Sequence, residues 1–332
     1  MRPRLWPLAP HAHRLLVWAV LGLAGMAVAA PTVYVEDVTA SAIIALDGGT
    51  GRVMARIPIP RGSHGLAYDP GHQLLFVGSG ETGMVSVIDA VKLKVIRTLQ
   101  VGKDARNIAV SPDGKLLYVA GMSDKALTVV RTDTWKAVKS VQLQQGPQSM
   151  VVGTAGERLF TTVASMGMSG GVVGSRLAGS VAIIDGRTLG VSSSGMLGGN
   201  PHGIAVSPDG TRLAVTQVDQ GRVDLISTTT LALIASYPTG IGPESPVFRS
   251  DQELWVSNLG GASVTVVNLL TGQSMNVSTG QGSYGLGFSL DRSTAFVSDM
   301  LDGTVVRLDA STRKLGARYP VGGELHSLVV GR

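Results

Sequence analysis

The chain repeats a short text at a nearly fixed interval, and few folds accept such a pattern. Ser111-Pro112-Asp113-Gly114 returns as Ser207-Pro208-Asp209-Gly210. Each copy follows an apolar run (Ile108-Ala109-Val110, Ile204-Ala205-Val206) and precedes another (Leu116 to Val119, Leu213 to Val215). Pro-Asp-Gly between two β-rich runs reads as a hairpin turn, because Pro presets φ and Gly accepts positive φ. A third apolar run then ends in Asp or Asn: Val85 to Asp89, Val181 to Asp185, Val264 to Asn268 and Val305 to Asp309. A fourth strand such as Lys94 to Val101 closes each unit. Aligning the start of the first strand gives His64, Arg106, Gln148, His202, Glu244, Tyr284 and His326, at spacings of 42, 42, 54, 42, 40 and 42 residues. Seven four-stranded units of this length, one carrying an insertion, predict an all-β, seven-bladed β-propeller, whose repeats run ~40–50 residues.

The two ends fit together in this scheme. Leu325 to Val330 supplies a first strand with nothing after it, whereas Thr32 to Val35, Ala42 to Asp47 and Arg52 to Ile59 read as second, third and fourth strands lacking a first. One blade is therefore expected to draw on both termini, which closes the ring and hides the edges that an open sheet exposes. Such closure also replaces disulfides. The 332 residues include no Cys, which excludes disulfide scaffolds, thiolate zinc sites, Cys nucleophiles and c-type haem attachment.

Residues 1–29 have a different character. Arg2, Arg4 and Arg14 precede a weakly polar run from Leu15 to Ala29, and no acid occurs before Glu36. A basic start, an apolar stretch and the small-residue Ala27-Val28-Ala29 site describe a cleaved secretory signal, leaving residues 30–332 as the propeller in a periplasmic or secreted location. An uncleaved anchor is the competing reading, but the run is shorter than the ~20 residues that span a bilayer. Losing three Arg lowers the formal charge from +5 to +2. That, with one aromatic in the aligned ring, argues against single-stranded nucleic-acid binding, which wants a basic groove and aromatic platforms.

Several stretches resemble the YVTN-type β-propeller repeat proteins of bacterial periplasms and archaeal surface layers. They are Asn200-Pro201-His202-Gly203-Ile204-Ala205-Val206-Ser207-Pro208-Asp209-Gly210, Leu117-Tyr118-Val119-Ala120-Gly121 and Val85-Ser86-Val87-Ile88-Asp89. No blade spells the name-giving tetrapeptide, the nearest text being Trp255-Val256-Ser257-Asn258. The resemblance covers the chain after the signal and implies an exported seven-bladed propeller, of a kind that often accompanies redox or metal-uptake systems. It implies no single activity, since propellers host enzymes, cofactor sites and docking surfaces alike.

In a four-stranded blade the first strand lines the central channel, so the seven aligned residues form a ring at one mouth. All are polar or ionisable, and three of the four His after the signal stand among them. One explanation is solvation of strand ends and trapped water. Another is a binding site for a small-molecule ligand whose anionic group meets Arg106, or for a periplasmic protein partner. A third is a metal site, copper or another divalent ion, using His64, His202 and His326. Met122, Met166, Met168 and Met300, on loops of the same face, would add soft thioethers. The insertion, residues 164–180, joins the second and third strands of its blade and projects over this mouth as a Gly-rich lid or docking loop. An enzyme reading, lyase-like or metal-assisted, would use His202 or His326 with Glu244 as acid and base. The common nucleophile-elbow, zincin and dinucleotide motifs are missing. Asp47, Asp89, Asp113, Asp185, Asp209 and Asp309 fall at turns, where a carboxylate accepts backbone N–H groups. His72 falls at a hairpin on the opposite face.

Overall fold

The computed structural model describes residues 30–143, 146–156, 158–163, 179–186, 188–197 and 199–332. The signal segment, Met166, Met168 and residues 164–178 of the insertion lie outside them. Seven four-stranded antiparallel sheets follow one another as blades. Blade 1 is the closing blade, in which Leu325–Val330 pairs with Thr32–Asp37, and Ala42–Asp47 and Val53–Pro58 complete the sheet. Blades 2 to 7 begin with the inner strands Ser63–Asp69, Asn107–Val110, Pro147–Val152, Pro201–Val206, Pro243–Ser250 and Ser283–Phe288. Each inner strand packs against the inner strands before and after it, and blade 1 touches both blade 7 and blade 2. The ring is closed. Among the described residues the only helical element is a 3-10 turn, Val218–Gln220, and no helix is long and apolar enough to cross a membrane.

The strands read as continuous apolar runs because each blade is covered on both faces, as in any sheet buried between two layers. Seven apolar clusters result, and each lies between two neighbouring blades. Trp255, Val264 and Val266 of blade 6 meet Phe288, Val297 and Leu308 of blade 7. Val33, Val35 and Ile44 of blade 1 meet Phe296 and Tyr319 of blade 7 across the closure. Tyr34 and Ile43 of blade 1 then meet Leu75 and Ile88 of blade 2. The outer strands are half covered, with exposed apolar side chains such as Ile96, Leu233 and Leu315.

The turn carboxylates do what their positions require. Asp47, Asp89, Asp185 and Asp309 accept backbone N–H groups from the turn that follows, as do Asp113 and Asp209 in their hairpins. The Ser-to-Asp bond of those hairpins, Ser111 to Asp113 at 2.6 Å, recurs as Ser289 to Asp291 at 2.6 Å. That third copy is hidden in the sequence because Leu290 and Arg292 replace Pro and Gly, and Arg292 takes the positive φ itself. His72 is exposed, and it is tied to the buried Asp69 through Nδ1 at 2.7 Å.

Candidate functional site

Six of the seven inner strands carry a β-bulge at their channel-mouth end, and the bulge falls on the aligned ring position. In blade 2 the pairing runs Ser63↔Ser79 and then Leu66↔Val77, so His64 and Gly65 together oppose Gly78. The same offset marks Gln148–Ser149, His202–Gly203, Glu244–Ser245, Tyr284–Gly285 and His326–Ser327. In blade 3 Arg106 stands just before the strand, held by its N–H to the Ala120 carbonyl at 2.9 Å. A bulge re-aims a side chain that regular pleating would direct elsewhere, so the ring results from repeated local geometry as well as from sequence spacing.

Two further devices fix these positions. The residue after the ring member is Gly in three blades because the neighbouring blade comes too close for a side chain. A Cβ on Gly203 would meet the Glu244 carbonyl oxygen at 1.9 Å, and one on Gly285 would meet Leu328 N at 2.7 Å. A buried hydroxyl on the second strand then bolts blade to blade. Thr216 Oγ1 accepts the Gly203 N–H at 2.8 Å and donates to the Glu244 carbonyl of the next blade at 3.1 Å. Thr162, Ser257 and Ser298 do the same for the carbonyls of His202, Tyr284 and His326, at 2.6, 2.5 and 2.6 Å. All four are buried.

Six of the seven ring residues join one chain of contacts. Arg106 reaches His64 Nε2 at 3.4 Å. The His64 and His326 rings meet edge to face at 5.8 Å, and His326 stacks on Tyr284 at 4.7 Å. The Tyr284 hydroxyl is directed at the Glu244 carboxylate, which holds His202 Nδ1 at 2.9 Å. Gln148 is half-buried outside this chain. Met122 and Met300 sit on the predicted loops, backed by the connectors at Gly146 and Gly282. Among the described residues no group of three or more His, Asp or Glu is arranged to hold a metal, and the three His join a hydrogen-bonded and stacked network.

Environment sets the charges. Burial lowers the His64 pKa to about 4, with Arg106 adding to the effect, so His64 is neutral near pH 7. Burial also works against a charge on His202, but the hydrogen bond and charge of Glu244 outweigh it and raise that pKa. The Tyr284 hydroxyl is pushed well up by burial and by Glu244 and Glu36.

Glu36, which the motif reading passed over, belongs to the same neighbourhood. It is wholly buried, and it occupies the second-strand position opposite the bulge of blade 1. In the other blades that position holds Gly78, Ala120, Thr162, Thr216, Ser257 and Ser298. A large acid at a position otherwise reserved for small or hydroxyl side chains is the signal that a strand-by-strand alignment carries.

No protein-family model matches the chain, and no curated protein does. Solved structures do. The chain is similar to Kuenenia stuttgartiensis hydrazine synthase at 20% identity and a TM-score of 0.75, covering 84% of this chain and 92% of that one. This is a seven-bladed β-propeller. A functionally unknown protein from Desulfotomaculum acetoxidans DSM 771 matches at 14% identity and a TM-score of 0.75, over 91% of this chain and 99% of that one. Dihydro-heme d1 dehydrogenase NirN, in complex with DHE, matches at 19% identity and a TM-score of 0.63, over 90% and 74%. At these identities the likeness establishes the propeller fold and leaves the chemistry to the site.

Proposed function

We propose that this is an exported propeller of the YVTN-repeat kind that binds a small anionic ligand at the channel mouth. The observation that carries the reading is Arg106. It is half-buried beside a neutral imidazole and forms no ion pair with any described carboxylate, while the ring's one acid, Glu244, is engaged by His202. A guanidinium held this way offers a charge-assisted fork to a carboxylate or phosphate. The polar wall from His64 to His202 would orient the rest of the ligand, and the 164–180 loop is the natural cover or partner-docking segment. The export reading rests on residues 1–29, and the names of two structural relatives, a synthase and a dehydrogenase, keep a redox setting in view.

The test is thermal shift with a panel of small carboxylates and inorganic phosphate. A ligand at about 100 times its Kd should add about 2.7 kcal/mol of stability. Arg106→Gln should abolish that gain with little effect on the ligand-free protein. A gain that survives in R106Q would refute the role of Arg106.

The His202–Glu244 pair favours an enzyme as a second reading. Its imidazole has a raised pKa and is oriented by a carboxylate that also faces Tyr284, an arrangement suited to acid–base chemistry on a bound ligand. Conversion of any panel member that H202Q abolishes would favour catalysis over binding.

A further inference from the structure

The hydroxyl bolts described above need a group that both accepts and donates a hydrogen bond. Each takes the bulge N–H of its own blade and gives its proton to the ring carbonyl of the next. In blade 1 that place belongs to Glu36, between the His326–Ser327 bulge and the His64–Gly65 bulge of blade 2. Neither Glu36 carboxylate oxygen makes a hydrogen bond of good geometry, and Ser63 Oγ and His326 Nδ1 beside it are likewise unpartnered and buried. A carboxylate can only accept, whereas a carboxylic acid does both. We propose that Glu36 is a proton-operated latch at the ring closure, joining blade 1 to blade 2 as the neutral acid and loosening that junction when it ionises.

The surroundings support the neutral form. From the inner strand of blade 1 the only titratable group facing Glu36 is His326, and from blade 7 it is Tyr284. The inner strand of blade 2 contributes the Ser63 hydroxyl and the Gly65 N–H, and carries His64 between them. On the third strand Glu36 is paired with Ile43, which is apolar. Its chain neighbour Asp37 is engaged with Arg56 and the Ala40 N–H. No guanidinium or ammonium is among the groups acting on Glu36 itself. Burial accordingly raises the Glu36 pKa, the largest effect, with the Ser63 hydroxyl, His326 and the Ser327 and Gly65 N–H groups opposing it. A proton has a route in, because His326 Nε2 lies 3.3 Å from the exposed Glu324 carboxylate while its unpartnered Nδ1 is on the buried side.

The location gives such a latch its effect. Blade 1 is the only blade whose four strands come from opposite ends of the chain, so a weakened contact there loosens the ring at its seam. The same movement would shift His326 and, through stacking, Tyr284.

The experiment uses the full chain and measures the folding equilibrium by urea titration from pH 4.5 to 8, for wild type, Glu36→Gln and Glu36→Thr, the residue two other blades use. An acid whose pKa is raised on folding contributes stability that is present below its unfolded value and is lost as pH rises through the folded value. The folding constant of the variant relative to wild type should therefore be lowest at pH 4.5 and rise with pH, by up to tenfold per pH unit. Taking the ratio cancels the titration of groups common to both proteins. Should E36Q fail to fold, E36T carries the same test with a residue the fold already accepts. A ratio independent of pH for both variants would overturn the latch.

Discussion

Replacing Thr216 by Val tests whether the hydroxyl bolts hold the propeller together. The two side chains have nearly the same volume, so the change removes an oxygen without opening a cavity. Thr216 is fully buried, so no water replaces the lost group. The Gly203 N–H then loses its acceptor at 2.8 Å and the Glu244 carbonyl loses a donor at 3.1 Å. An unpaired buried N–H costs about 1–3 kcal/mol, and a carbonyl with a second lone pair costs less. The expected loss is about 2–3 kcal/mol. Thr216→Ser keeps both bonds and gives up one methyl, worth about 1 kcal/mol. For a chain longer than 250 residues each kcal/mol corresponds to about 2 °C or less in Tm. Urea titration followed by two probes, fluorescence and circular dichroism, would show whether the transition is two-state and give the difference directly. If T216V proves as stable as T216S, the oxygen carries no weight and the blades are held by their apolar interfaces alone.

Other outcomes follow from the same geometry. His64 has its pKa lowered on folding to about 4, so it contributes stability that grows as pH rises from about 4 toward 6.5; H64Q should flatten that part of the pH profile, and an unchanged slope would mean the ring is wetter than its burial indicates. Asp299 behaves oppositely, because burial raises its pKa to about 6. Its contribution falls as pH rises from about 4 to 6, and D299N should remove that fall in a urea series even though it also deprives Arg318 of its partner. Tyr284→Phe keeps the stack on His326 but withdraws the hydroxyl from Glu244, so NMR titration of His202 should report an altered pKa, whereas a change at His326 alone would place the hydroxyl elsewhere. Removing residues 325–332 deprives Thr32–Asp37 of its inner partner and should leave an aggregating chain in place of a monomer with one three-stranded blade, as read by size-exclusion chromatography.

Much of this was legible because a propeller is quasi-periodic: a position that recurs once per blade, mostly at 42 residues, meets a similar environment seven times. The inner strands, the shared closing blade and the ring members were readable from spacing alone. What spacing cannot show is contact between side chains. The sequence puts His64, His202 and His326 on one circle, and only the structure shows His326 stacked on Tyr284 and His202 bonded to Glu244. The third Ser-x-Asp turn stayed hidden because its backbone is achieved without Pro or Gly.

Glu36 shows the limit most clearly. Within its own strand, Thr32-Val33-Tyr34-Val35-Glu36-Asp37, it reads as one of two acids ending a buried run. Only the pairing register places it opposite a bulge and in line with Thr162, Thr216, Ser257 and Ser298. Seen there, its cost becomes informative. A buried acid without a cation partner is expensive when charged, and the fold offers six examples of cheaper residues at that place. Its presence at the one blade assembled from both ends of the chain ties a titratable group to the step that closes the ring. That arrangement also couples the seam to the mouth, since Glu36 interacts electrostatically with His326 and Tyr284, two members of the ring that would meet a ligand.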